Sequence, residues 1–283
     1  IYQNDDFTSE TITIFDGSVI QNGNINENGA GVYMRDYSML RNCIVRNNTG
    51  NRGSAIYTYG YANIINCLIV DNTSTYNSTS ASSVFLLDST LFVNNTVVNN
   101  TSVVGTGGVY VDNSKVRIYN SILWGNKKGE EINNIEGQVP DMRFTAVEGG
   151  YSGIGNIPLA SENTGNAGYY PCFNDIENDD YSLTANSICI NKGSSTLMSL
   201  PSIDLANTER IKQGTIDMGA YESDHTPVIN IVPGNNNVIY VATNASGKKD
   251  GSSWSDATSD IHLAVNLANT FNPPADVWVK AGT

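Results

Sequence analysis

Carboxylates and bases are the side chains with which this chain could do acid–base chemistry, and they are sparse. Asp36, Asp71, Asp88 and Asp112 lie among Arg35, Arg41, Arg46, Arg52, Lys115 and Arg117 in the first half. Asp175, Glu177, Asp179 and Asp180 form an acidic cluster, and Asp204, Glu209 and Asp217 follow it. Cleavage of a sugar polymer needs two carboxyls at a set separation, or a base beside carboxylates or Ca²⁺ that neutralise a uronate. Asp36 and Asp112 fall on different repeats, about 14 Å apart if the repeats stack at the spacing of paired strands, too far for a carboxyl pair. His225 and His262 are isolated. No Ser–His–Asp set, HExxH or phosphate-loop pattern occurs. These residues lead us to expect no catalysis and no required cofactor. The 175–180 cluster offers some of the oxygens a Ca²⁺ ion takes, but it lacks the glycine and spacing of an EF-hand, and a solvated acidic turn is the plainer reading.

Charge and cysteines narrow the classes further. The formal charge of the 283 residues is −13, with only 15 Lys and Arg, which argues against nucleic acid or an anionic membrane surface as a partner. Cys43, Cys67, Cys172 and Cys189 form no CxxC, so zinc and thioredoxin-like readings lack support. Cys43 and Cys67 fall at one repeat position on successive coils and are expected as buried free thiols. Cys172 and Cys189 leave a disulfide open. No apolar run approaches the ~20 residues of a membrane-spanning helix. Ile1–Asp6 lacks the basic and apolar regions of a secretion signal, so a mature or excised piece is expected.

The elements that must hold these side chains announce themselves as repeats. Asp16–Gly23, Asn42–Thr49, Asn66–Thr73, Asn94–Thr101 and Asn120–Asn126 share one pattern, with steps of 26, 24, 28 and 26 residues between first positions. Such a period predicts a solenoid, each coil burying its apolar face against its neighbours. Three strands per coil follow from alternation. Val32, Ile56, Val84 and Val109 make one inward column. Leu40, Ile64, Phe92 and Ile118 make a second, and Val19, Val45, Ile69, Val97 and Leu123 a third. The fold class expected is all-β: a right-handed parallel β-helix with a small C-terminal strand–helix–strand unit. Polar loops of unequal length, Gly23–Asn28, Thr49–Arg52, Thr73–Thr79 and Thr101–Thr106, leave the coils on one side.

Two residue columns carry alternatives. Asp16, Asn42, Asn66, Asn94 and Asn120 mark the bend into the third strand, and Asn22, Asn48, Asn72, Asn100 and Asn126 mark its end. Asn tolerates the left-handed conformation of a tight corner and passes amide hydrogen bonds between copies; an Asn-lined ligand track is the functional alternative. Tyr33, Tyr57, Phe85 and Tyr110 form an aromatic stripe. It reads as a stabilising ring ladder, with a platform for sugar rings as the alternative.

The later chain changes character. Residues 1–127 hold the repeat coils, 128–223 read as terminal irregular coils, 224–237 as a linker, and 238–283 as a strand–helix–strand unit. In the last, Val238–Ala242 and Val277–Lys280 are strands, and Ser259–Thr270 a helix with Ile261, Ala264, Val265 and Ala268 on one face. Ile122–Asn126, Phe144–Ile157, Asp180–Gly193 and above all Ile216-Asp-Met-Gly-Ala-Tyr-Glu222 resemble the last coils of bacterial cell-surface β-helix proteins, the pectin-lyase-like, polymorphic outer-membrane-protein-type repeat family. The resemblance implies that the coil domain closes at Glu222, and that 238–283 is similar to the start of a further module, whose helix covers an open coil end. The 238–283 unit either belongs to a tandem array of modules, the reading adopted here, or covers the first coil of a neighbour or of its own chain.

Together these readings predict an extracellular or cell-surface structural or adhesive module without enzymatic activity. Its expected partners are neighbouring β-helix modules or chains through 238–283, and a glycan or a host or neighbour-cell surface. The alternative on the same fold is a polysaccharide lyase, glycoside hydrolase or glycan-binding module using the aromatic stripe.

Overall fold

The computed structural model describes residues 12–159, 171–185, 187–197, 200–225, 231–248, 250–258, 261–269 and 271–280. Ile1–Asp6, Thr11, Asn186, the middle of the linker at 226–230, Ser259, Thr270 and the His262 side chain lie outside them.

Alternating apolar residues on short strands stack coil on coil, as the period predicts. The chain forms a β-solenoid of parallel strands. One sheet runs through Val32–Met34, Arg52–Thr58, Ser82–Leu86, Thr106–Val111 and Ile135–Gly137. A second joins Thr13–Asp16, Ser38–Arg41, Ala62–Ile65, Leu91–Val93, Arg117–Tyr119 and Asp141–Arg143. A third joins Val19–Gln21, Ile44–Arg46, Leu68–Val70, Thr96–Val98, Ile122–Trp124, Ala146–Glu148 and Ile157–Leu159. The expected columns are in register: Val32 with Ile56, Val84 and Val109, and Leu40 with Ile64, Phe92 and Ile118. Their side chains fill one interior core, with Phe15 and Ile20 packed against it from the first coil and Ile135 and Tyr151 from the last.

The first coil departs from expectation by one residue. Val19 pairs with Ile44, and Ile20 with Val45. Ile20 therefore takes the inward place, and Val19 is 55% exposed. The cause is the corner: Gly17, at φ +67°, turns the chain where Asn42 does on the next coil, at φ +51°. Asp16 is instead the last residue of its strand, 2.8 Å from Arg41. Each coil also carries a fourth element. The loops begin as a ladder of two-residue strands, Thr49–Gly50, Thr73–Ser74, Thr101–Ser102 and Lys127–Lys128, parallel to one another. At residue 128 the period is interrupted rather than ended: Lys127–Lys128 pairs antiparallel with Glu131–Ile132, and the coil resumes in register.

The third strands are apolar on both faces. Ile69, Val97 and Leu123 point inward, while Leu68, Val70, Val98, Ile122 and Trp124 belong to a second, outer cluster. Strands buried on both faces read as continuous hydrophobic runs, and here an arm from residues 171–225 supplies the covering layer. Its hairpin, Phe173–Asp175 with Asp180–Leu183, sets Phe173 edge-on to Trp124 at 6.1 Å. Ile188, Cys189, Ile190 and Met218 complete the layer.

Residues 231–280 form the expected strand–helix–strand unit. Val238–Val241 and Asp276–Val279 pair in parallel, and the helix spans Ile261–Ala268. Its packed face differs from expectation. Ala264 and Ala268 are buried, Leu267 packs beside them, and Ile261 and Val265 are exposed. An eight-residue helix over a two-stranded sheet has room for a narrow stripe only. The linker's second half belongs to this unit: Ile231 is buried with Ile239 and Val241.

Candidate functional site

The polar residues that the coils bring together form ladders. In the column at the end of the third strand, the Asn48 backbone N–H and Nδ2 both donate to Asn72 Oδ1, at 3.0 and 2.9 Å. Asn72 repeats this on Asn100, at 2.9 and 2.9 Å. Asn100 does so on Asn126, at 3.1 and 2.9 Å, and Asn126 on Asn134, at 3.3 and 2.8 Å. The remaining amide protons reach strand carbonyls, as from Asn100 to Val98 at 3.0 Å. Asn22 is not a member. Its place is taken by Gly23, whose N–H donates to Asn48 Oδ1 at 2.8 Å, while Asn22 is the left-handed residue just before it, at φ +62°. This correction follows from the same one-residue offset.

A further ladder was hidden by mixed residue types. The Cys67 N–H donates to Asn95 Oδ1 at 2.8 Å, Asn95 N–H to Ser121 Oγ at 3.2 Å, Ser121 N–H to Thr145 Oγ1 at 3.4 Å, and Thr145 N–H to Asn156 Oδ1 at 3.0 Å. Cys43 and Cys67 sit in this column as buried free thiols, and Cys172 and Cys189 are also unpaired. Burial pushes the Cys67 thiol up.

The corner column does more than turn the chain. Asn42 Nδ2 donates to Asp16 Oδ1 at 2.9 Å, and Asn66 Nδ2 to Asn42 Oδ1 at 3.2 Å. Asn66, Asn94 and Asn120 also reach outward and hold the arm: Asn66 Nδ2 donates to the Ile203 carbonyl at 2.8 Å, Asn94 Nδ2 to that of Asp217 at 3.2 Å, and Asn120 Nδ2 to that of Ser194 at 2.9 Å. The Ser194 N–H returns to Asn120 Oδ1 at 2.8 Å.

On the arm, carboxylates foreseen only as neighbours in sequence converge around Arg210. Asp204, Arg210, Asp217 and Glu222 are all buried, whereas Glu209 is exposed. Each carboxylate takes backbone N–H groups. Asp217 accepts from Asn191 at 2.6 Å and Ser223 at 2.7 Å. Asp204 accepts from Thr208 and Glu222, both at 2.8 Å. Glu222 Oε2 accepts from Asp217 at 3.1 Å and lies 3.9 Å from Arg210 Nε. Arg210 donates to the carbonyls of Ala220 at 3.1 Å and Gly219 at 2.6 Å. Burial pushes Arg210 down to about 10. Burial, with Asp217 beside it, pushes Glu222 up to about 7, and Asp217 is raised by burial as well. The arrangement clasps the loop that carries Ile216–Glu222 onto the third sheet. Gly219, at φ +93°, lies so close that a Cβ there would meet Ile122 Cδ1 at 2.8 Å, and its N–H reaches the Asn120 carbonyl at 2.7 Å. Sequence reading missed Arg210 because a single basic residue in a polar loop carries no periodic signal.

The other singled-out residues are placed as follows. Tyr33, Tyr57, Phe85 and Tyr110 stack face to face at 5.0, 4.9 and 5.1 Å. Tyr57 and Phe85 are buried, so the faces a sugar ring would need are turned to one another. The 175–180 carboxylates diverge. Asp175 caps a 3₁₀ turn by accepting from the Asn178 N–H at 3.3 Å. Asp179 pairs with Arg46 at 2.7 Å, and Asp180 accepts from the Ser182 N–H at 3.0 Å. Glu177 lies in the first turn of that 3₁₀ segment. No group of three or more His, Cys, Asp or Glu side chains poised to share an ion occurs among the described residues. Asp36 accepts from the Tyr61 N–H at 2.8 Å and Asp88 from the Gly60 N–H at 3.0 Å, two further corner bonds.

What these features define is a parallel β-solenoid whose outer third sheet is covered by its own clasped arm. No family model, curated protein or solved structure matches the chain.

Proposed function

We propose that the chain is a non-catalytic structural or adhesive module of an extracellular or cell-surface β-helix protein of the pectin-lyase-like kind. The observation that carries this is where the reactive side chains go. Asp204, Asp217 and Glu222 each accept backbone N–H groups, and the stripe's rings stack on each other. A site for acid–base cleavage needs carboxyls aimed at a substrate, and here they are aimed at the fold.

The module works as a rod segment that joins its neighbours end to end. Ile14 and Val19 on the first coil are exposed, as are Trp278 and Val279 on the terminal strand. Free strand edges with apolar side chains template pairing with another chain or module, and a head-to-tail contact of this kind propagates. Sedimentation across a concentration series tests this. The wild type should associate in linear steps, and Val19→Lys and Val279→Lys should each weaken association. A wild type that stays monomeric throughout would remove the assembly part of the reading.

A further inference from the structure

A cavity of about 200 Å³ lies between the last coil, the arm and the terminal unit. Phe144 and Ile157 wall it from the coil, Ile188 from the arm, and Leu267 and Phe271 from the terminal unit; Lys192 stands among them. We propose that this cavity binds a small monocarboxylate with an apolar, ring-sized body, the body against the apolar walls and the carboxylate on the Lys192 ammonium.

The first support is the lining. Small-molecule sites are apolar concavities with a few placed polar groups. Lys192 makes no ion pair among the described residues. Lys192 stands at the rim, exposed to solvent, and desolvation by the atoms around it lowers its pKa. A carboxylate would supply the missing counter-charge. Lys192 is also held in place: the flanking Asn191 and Gly193 N–H groups are bound by Asp217 Oδ1 at 2.6 Å and the Ile216 carbonyl at 2.8 Å.

The second support is independent and lies in the backbone. The corner column reads Gly17, Asn42, Asn66, Asn94, Asn120, then Phe144, all with positive φ. Gly and Asn accept that conformation readily; a bulky aromatic at φ +49° is strained. The solenoid's own rule calls for Asn at this corner, and the chain instead places a ring there. That ring packs over Gly155, where a Cβ would meet Phe144 Cδ1 at 2.5 Å, and forms a wall of the cavity. Tyr37 shares a positive φ, at +59°, so the conformation alone assigns no role; what singles out Phe144 is that its strained ring is also a wall of the cavity.

The test uses the full chain titrated with phenylacetate and with its neutral isostere phenylacetamide, read by ligand-observed saturation-transfer NMR. The wild type should bind phenylacetate about tenfold or more tightly than phenylacetamide, the usual advantage of a hydrogen bond to a charged group. Lys192→Met should erase that preference while still binding phenylacetamide. Phe144→Asn should keep the unfolding temperature of the wild type and lose both ligands. Absence of saturable binding to the wild type would overturn the site. Equal affinity of the wild type for the two probes, or an unchanged preference in Lys192→Met, would overturn the carboxylate assignment. A Phe144→Asn that still binds, or one whose unfolding temperature falls, would overturn the role given to the strained ring.

Discussion

A single asparagine in the buried ladder has several bonds to satisfy at once. Asn100 accepts from the backbone and side chain of Asn72 and donates to Ile69, Val98 and Asn126. Each buried polar group left without a partner costs about 1–3 kcal/mol. Asn100→Leu should therefore lower stability by roughly 3 kcal/mol or more in denaturant unfolding. Asn42→Gly, at a half-exposed corner whose φ glycine accepts, should cost about 1 kcal/mol or less. Equal costs at the two positions would refute the distinction between a load-carrying ladder and a turn. Glu222 gives a pH signature. Its folded pKa of about 7 lies above the ordinary glutamate value of 4.5, so the folded state holds the proton over that window and the unfolded state releases it. The contribution of Glu222 to stability is then fully present below pH 4.5 and is lost as pH rises toward 7, by on the order of 3 kcal/mol. Asp217, also raised, acts in the same direction. Glu222→Gln, followed by urea unfolding at pH 5 and pH 8, should flatten this fall; an unaltered slope would show that another group causes it.

At the scale of the element, the third sheet and the arm depend on each other. Leu68, Val98 and Ile122 face outward and would meet water without the arm. Gly219→Ala combines a disfavoured φ with a Cβ driven against Ile122 and Thr96, and should cost about 1–3 kcal/mol. Limited proteolysis should then cut within 187–222 before the coils, and cleavage spread evenly over the chain would contradict a locally clasped arm. The coils themselves were legible in the sequence because stacking imposes a strict period, and Val45, Ile69, Val97 and Leu123 keep it. The arm was not. Its signal was present in the unbroken apolar runs Cys67-Leu-Ile-Val70 and Ser121-Ile-Leu-Trp124, which mark a strand buried on both faces. The partner layer, however, lies up to 137 residues away in sequence, as the Asn66–Ile203 bond illustrates. The first coil was misread for a smaller reason. Gly17 does the work of Asn42, and alignment on the polar residue Asp16 shifted the third strand of that coil and its end, Val19 to Asn22, by one.

Over the whole molecule, polar side chains that would be suspects in an enzyme are occupied in building. Asn columns carry bonds from coil to coil, carboxylates hold the clasp, and aromatic rings stack along one side. The coil stack that results has its third sheet sealed by its own arm. That division of labour is what the proposed scaffold role rests on, and turnover of a polymer is the property that would count most directly against the proposal. The direct measurement is incubation of the purified protein with a panel of acidic and neutral polysaccharides, scored for new reducing ends and unsaturated products. The account predicts no product above the level given by an Asp217→Asn, Glu222→Gln variant. Product formed by the wild type and abolished in that variant, with the variant still folded, would contradict it.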